Sequence, residues 1–222
     1  MTEPTAGRED HLSLADWRRR VADLYADVRR EAAADPEAAW RHWRDVREAL
    51  FREHAQSPVP AAQRAGFEAR HWPYDPALRF TVVVDDTPEP QWGVRISTVP
   101  GMTLQLPMSV GEALDFRRIG WVEVPFQAGP RRLAVYWMAG YAGGLFLPFR
   151  DATNGEATYP AGRYLIDAAK SADLGADADG RLVLDFNFAF HPSCAFDPVW
   201  SCPLAPPENR LDLPIEAGER LR

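Results

Sequence analysis

The ten residues RLVLDFNFAF, 181–190, hold the first clue to the architecture. In an extended chain Leu182, Leu184 and Phe186 take one face, while Val183, Asp185 and Asn187 take the other. Apolar side chains on both faces predict a strand covered on both sides. Asp185 and Asn187 then sit roughly 6.8 Å apart along that strand, withdrawn from water. A withdrawn carboxylate needs a charged partner or several donors, and Arg163 is a candidate. The pair reads either as a structural ion pair or as the polar floor of a pocket.

Working outward, RFTVVVDD (79–86), WGVRIST (92–98), EALDFRRIGWVEVPF (112–126) and RRLAVYWMAG (131–140) are β-rich, as are GLFLPFRDAT (144–153) and ATYPAGRYL (157–165). Alternation in 131–140 places Leu133, Val135 and Trp137 on one face. Short strands at hairpin spacing, without alternating helices, predict a mainly β fold with an antiparallel β-barrel or sandwich-like core. The segment DAAKSADLGADADG, 167–180, is a surface loop by composition, with the wrong ligand spacing for calcium.

The first 66 residues carry a different period. Leu14, Trp17, Val21, Leu24 and Val28 form one helical stripe, opened by Ser13 and Asp16 as a capping box. Asp35 as N-cap and Pro36 at the first position open a second helix. Its face bears Trp40, Trp43, Arg47, Leu50 or Phe51, and His54, and Ser57-Pro58 ends it. The predicted organisation is a tail over 1–12, a helical hairpin over 13–60, and a β domain over 61–222 with a proline-rich C-terminal cover.

Composition narrows the function classes. An apolar fraction of 46% and eight tryptophans fit a packed core rather than disorder. A net charge of −7 without a basic block disfavours nucleic acid. The start lacks the apolar run of a signal peptide, and no stretch approaches the ~18 apolar residues that span a bilayer, so a cytoplasmic location is expected. Lys170 is the only lysine and hence the sole candidate for a Schiff base. No phosphate-binding glycine loop is present.

Several segments could bring chemistry together. Asn154-Gly155 predicts a two-residue hairpin turn, placing Asp151, Thr153, Glu156 and Thr158 on one face. Tyr159-Pro160-Ala161-Gly162 fits a type I turn that delivers Arg163 to the next strand. In HPSCAFDPVWSCPLAPPENRL, 191–211, the spacing of His191, Cys194 and Cys202 matches no zinc pattern. Zinc completed by His54, a reactive cysteine beside His54 or His191, and a disulfide remain open. The preferred reading is buried thiols beneath a stiff cover.

The segments HAQSPVP, WPYDPALRF, PFRDATNGEATYPAGRYL, LDFNFAFHPSCAFDPVWSCPLAPPENRL and PIEAGER resemble one family of uncharacterised bacterial and archaeal proteins, known only as a domain of unknown function. The pattern carries over to His54, Ser57, Tyr74, Asp75, Asp151, Thr153, Gly155, Thr158, Tyr159, Gly162, Arg163, Asp185, Asn187, Cys194, Cys202, Glu208 and Asn209. His191, Ser193 and Ala157 depart from it, which weakens any essential role for His191. The resemblance implies no activity, cofactor or partner. It does imply that polar residues from four separated stretches share a pocket.

The resulting expectation is a small-molecule site at one end of the β core, taking an anionic or aromatic ligand. Arg163 supplies the cation, His54 transfers protons, and Asp185 and Asp151 orient the donors. Asn187, Tyr159, Thr153, Tyr74, Glu208 and Asn209 contact the ligand, with Trp43, Phe51 and Trp200 as apolar walls. No metal and no cofactor are expected. Two other readings fit the same residues: a non-catalytic protein with a buried polar network, or a barrel holding flavin or haem.

Overall fold

A computed structural model of the chain describes residues 8–87, 103–140 and 143–221. The expected strand over 92–98 lies outside the described residues.

Helix α1 runs Arg8–Glu31 and α2 runs Pro36–Glu53. The first starts earlier than the capping-box reading, so Ser13 and Asp16 lie inside it; arginine and glutamate at its start are ordinary helix formers. The second is capped as expected, with the Asp35 carboxylate accepting from the Ala38 N–H. One further turn, α3, spans Ala61–Arg64. No described helix is long and apolar enough to cross a membrane.

The β part is antiparallel throughout its named strands. Strands β1 (Arg70–His71) and β2 (Arg79–Val82) precede β3 (Thr103–Leu106), β4 (Leu114–Val124), β5 (Arg131–Met138), β6 (Gly144–Phe149) and β7 (Arg163–Asp167). Strands β8 (Leu182–Asp185) and β9 (Glu219–Arg220) follow. The five strands β3 to β7 form one meandering sheet in chain order, while β2 pairs with β8 and β1 with β9. The protein is therefore mainly β with a pair of N-terminal helices. The described strands do not close into a barrel, so they form no barrel interior for a flavin or haem.

Strand β5 shows why the sheet sits at the centre. Leu133 and Val135 join one apolar cluster with the β2–β8 ribbon, Phe186 and Ile215. Ala134 and Tyr136 join a second with α1, α2 and Phe188. The two faces of one strand thus feed two cores, and Trp137, expected on the Leu133 face inside, is 39% exposed near the strand's end. Layers run from helices to sheet to ribbon, with the chain after β8 threading along both cores.

Candidate functional site

Arg163 opens β7 with no exposed surface. Its partner is Asp151 at 2.8 Å, not Asp185. The same guanidinium donates to the carbonyls of Ile215 (2.8 Å), Glu219 (3.1 Å) and Ala217. Trp72 and Phe149 cover its faces at 5.3 and 5.2 Å. A planar fork with several N–H donors suits this task, because one side chain gathers three backbone acceptors and a carboxylate. Arg163 ties down the C-terminal segment and lines neither of the two cavities described below.

The two-residue hairpin at Asn154-Gly155 does not form. The Asp151 carboxylate accepts from the Thr153 N–H at 2.7 Å and from its hydroxyl, while Asn154 Oδ1 accepts from the Asp151 N–H at 2.7 Å. These local bonds outcompete a ladder. Asp151, Thr153 and Thr158 are buried together, Thr153 Oγ1 lying 2.9 Å from Thr158 Oγ1, whereas Glu156 is exposed.

Asp185 belongs to a second neighbourhood. Strand β8 ends at Asp185, which caps a 3-10 turn over Phe186–Phe188. Asp185 and Asn187 are therefore in contact, Nδ2 donating to Oδ1 at 2.8 Å, rather than two strand positions apart. The other carboxylate oxygen accepts from Tyr74 (3.2 Å) and from Arg79 (3.1 Å), its cross-strand partner. Burial raises the Asp185 pKa, opposed by the donors from Asn187 and Arg79. Asn187 also exchanges two 2.8 Å bonds with the Asp75 backbone. This cluster pins the Tyr74-Asp75 loop to β8.

His54 caps α2 in a third place. Its Nε2 lies 3.2 Å from Asp16 of α1, its Nδ1 accepts from the Gln56 N–H, and its ring meets Trp17 edge-on. It joins the two helices to each other. The expected convergence of His54, Arg163 and Asp185 is corrected accordingly: their partners, Asp16 for His54, Asp151 for Arg163, and Arg79, Tyr74 and Asn187 for Asp185, are three separate sets.

Of the remaining candidates, Glu208 accepts from the buried Tyr136 hydroxyl at 2.8 Å. Asn209 bridges two strands, donating to the carbonyls of Ala134 (2.9 Å) and Pro148 (2.7 Å) and accepting from the Ala134 N–H (2.7 Å). Tyr159 is half-buried beside Cys194, and burial pushes its phenol up to about 12, with Cys194 adding to the effect. Cys194 and Cys202 are free and buried.

Space for a guest lies elsewhere, between the helical hairpin and the C-terminal cover. A cavity of about 260 Å³ is lined by Trp17, Phe51, Phe190 and Trp200, and by Arg18, Arg47, Lys170, His191 and Cys202. The cations come from three elements: α1, α2, and the 3-10 turn Ala168–Lys170 that follows β7. Lys170 is held 3.0 Å from Asp167. Arg47 lies 2.6 Å from the buried Glu219 and over the rings of Phe51 and Phe190 at 4.3 and 4.9 Å. Among the described residues no carboxylate lines the cavity. Arg47 and Glu219 were not among the sequence candidates, and Lys170 was a candidate only as a Schiff-base lysine. The signal for Arg47 was available, because an arginine inside an apolar helix stripe requires a buried acceptor; nothing around Lys170 in the sequence pointed to this cavity.

On the other side of His191 and Glu219 lies a second cavity of about 280 Å³ that mixes Arg70 and Arg220 with Glu68 and Glu219. Burial would raise Glu219, but Arg47, His191 and His71 outweigh it and hold the carboxyl at about 2. Burial pushes His191 down to about 4. Among the described residues no group of three or more histidines, cysteines and carboxylates could hold a metal.

These features define a mainly β protein of antiparallel sheets, braced by a helical pair and by buried polar side chains that join distant segments. The chain belongs to the family described as a protein of unknown function (DUF1684), whose model matches residues 67–220. A solution NMR structure of an uncharacterized protein from Haloarcula marismortui is similar, at 30% identity and a TM-score of 0.55, over 86% of this chain and 97% of that one. No curated protein matches. Lys170, His191 and Cys202 lie inside the matched segment, and the hairpin residues Arg18 and Arg47 precede it.

Proposed function

We propose that the protein binds a small molecule with an anionic group and an apolar, ring-sized body in the cavity between hairpin and cover. The observation that carries this reading is charge: in a chain of net charge −7, the cavity is lined by three cations and, among the described residues, by no carboxylate. The neighbouring cavity, with its two arginines and two glutamates, lacks that bias. Two of the three cations are paired from behind, so the attraction for an anion comes from Arg18 at the rim together with the N–H donors that Arg47 and Lys170 offer. Lys170 and Arg47 are fixed from behind by Asp167 and Glu219, so their positions are set before a ligand arrives. Arg18 forms no ion pair among the described residues and is exposed at the rim. The four aromatic walls suit a flat apolar body, and the volume limits it to about one ring.

A thermal-shift comparison tests the idea with phenyl phosphate and benzoate, using inorganic phosphate and benzyl alcohol as charge-only and ring-only controls. At a hundredfold excess over Kd the aromatic anions stabilise by about 2.7 kcal/mol, or roughly 5 to 10 °C for a chain of this size. The shift shrinks at least several-fold in Arg18→Gln and Lys170→Gln. No shift at millimolar ligand, or equal shifts in both variants, overturns the reading.

The second reading, polar residues that serve the fold alone, is favoured for the motif residues by one observation. Arg163 meets a carboxylate and three carbonyls, and both amide groups of Asn187 and Asn209 are bonded. It does not extend to Arg18, which forms no ion pair among the described residues.

A further inference from the structure

Cys194 and Cys202 are eight positions apart in the chain, and the Cys194 N–H donates to Cys202 Sγ at 3.3 Å. That contact places the Cys202 sulfur against the Cys194 backbone. Pro192 and Pro203 flank the pair and limit backbone movement around it. Cys202 lines the cavity described above and Cys194 stands behind it, so a small reagent entering there reaches the pair from the Cys202 side although both cysteines are buried. We propose that Cys194 and Cys202 form a reversible oxidation site, closing to an intrachain disulfide when a small hydroperoxide enters the cavity.

The surroundings favour one thiolate shared across the pair. The nearby Cys202 thiol, and after it the Tyr159 hydroxyl, bring the Cys194 thiol down to about 6, against the effect of burial. The neighbouring negative charge and burial push Cys202 up, which keeps its proton in place. One sulfur is thus a nucleophile at neutral pH and the other a proton-bearing partner, the division of labour that disulfide formation requires.

The chemistry balances with hydrogen peroxide or a small alkyl hydroperoxide as oxidant. The Cys194 thiolate attacks the terminal peroxide oxygen, the O–O bond breaks, and hydroxide or alkoxide leaves and takes up a proton. Cys194 is now a sulfenic acid. The Cys202 sulfur, losing its proton, displaces the sulfenic hydroxyl as water and forms the S–S bond. Each disulfide consumes one peroxide, and a dithiol reductant restores both thiols. Larger oxidants are excluded by the burial of the pair, so selectivity comes from access. This site stands independently of anion binding in the same cavity.

The test uses the full-length protein at neutral pH with one equivalent of hydrogen peroxide, followed by unfolding, alkylation and intact-mass measurement. The expected result is loss of both alkylatable thiols with a mass decrease of two hydrogens, reversed by dithiothreitol. In folded Cys202→Ser, dimedone is expected to capture a sulfenic acid on Cys194. Two thiols still alkylated after peroxide, added oxygen atoms in place of the lost hydrogens, or disulfide-linked dimers would overturn the proposal, and the wild-type measurement decides even if the variant does not fold.

Discussion

Asn209 acts as a short piece of strand. In the register of β5 and β6, Tyr136 faces Phe146, which would bring Ala134 opposite Pro148. Proline has no N–H, so the Ala134 carbonyl loses its ladder donor there, and on the far side β6 shifts register against β7 at Leu147/Pro148. The Asn209 amide enters that gap and supplies one acceptor and two donors to Ala134 and Pro148. Asparagine fits because its amide copies both halves of a peptide group. Asn209→Ala leaves three buried backbone groups short of partners and is expected to cost about 3 kcal/mol. Asn209→Asp should cost at least as much, since a carboxylate faces two carbonyl oxygens. A urea midpoint lowered at constant m-value would bear this out; a loss below about 0.5 kcal/mol, the level of a surface substitution, would contradict it.

At the scale of elements, turn chemistry decides what a sequence reader can see. The Tyr159–Gly162 turn was legible: the Gly162 N–H donates to the Tyr159 carbonyl at 3.0 Å, and the glycine takes a φ of 102°. A Cβ at Gly162 would lie 2.4 Å from the Phe149 carbonyl oxygen, so Gly162→Ala combines backbone strain with a collision against β6. Gly155 has a φ of 88° but open space around it, so Gly155→Ala bears the strain alone. The first change is expected to cost more than about 2 kcal/mol and the second about 1. Comparable melting temperatures for the two variants would show that the collision is absorbed elsewhere. The helical pair was legible through the Asp35-Pro36 cap and its apolar stripes, and β5 through alternation. The Asn154-Gly155 hairpin and the strand through Asn187 were misread for one reason: Asp151, Asn154 and Asp185 bond to nearby backbone N–H groups and bend the chain into turns. The partners of Arg163 were invisible because three of them are backbone carbonyls, which carry no residue-type signature. The cavity was invisible because its cations come from three elements whose approach only tertiary packing sets.

For the whole molecule, the seam between α2 and the β domain is a buried charge cluster, and its protonation sets the response to acid. Arg47 on α2 meets Glu219 of β9, and Glu219 Oε2 accepts from the His191 N–H at 2.7 Å. His71 packs against Trp40 and Trp43 of the same helix. Burial brings His71 down to about 4 from an ordinary 6.5, as it does His191. Between those values the unfolded chain binds protons that the folded chain refuses, so stability falls as pH drops from 6.5 toward 4. Glu219 is depressed from 4.5 to about 2, so its contribution is complete above 4.5 and is lost as pH falls through that lower range. The two windows adjoin, and the melting temperature is expected to decline continuously from pH 7 to pH 3, first through the histidines and then through the glutamate. His191→Asn, whose side-chain oxygen can still accept from the Tyr159 N–H that now reaches Nε2 at 3.3 Å, should flatten the upper part of the decline by about half. Arg47→Met removes the main cation beside Glu219, leaves its buried charge uncompensated, and should both lower stability by about 3 to 5 kcal/mol and move the acid limb toward neutrality. A melting temperature constant between pH 7 and pH 5 in the wild type would refute the histidine part, and an acid limb unmoved in Arg47→Met would refute the glutamate part.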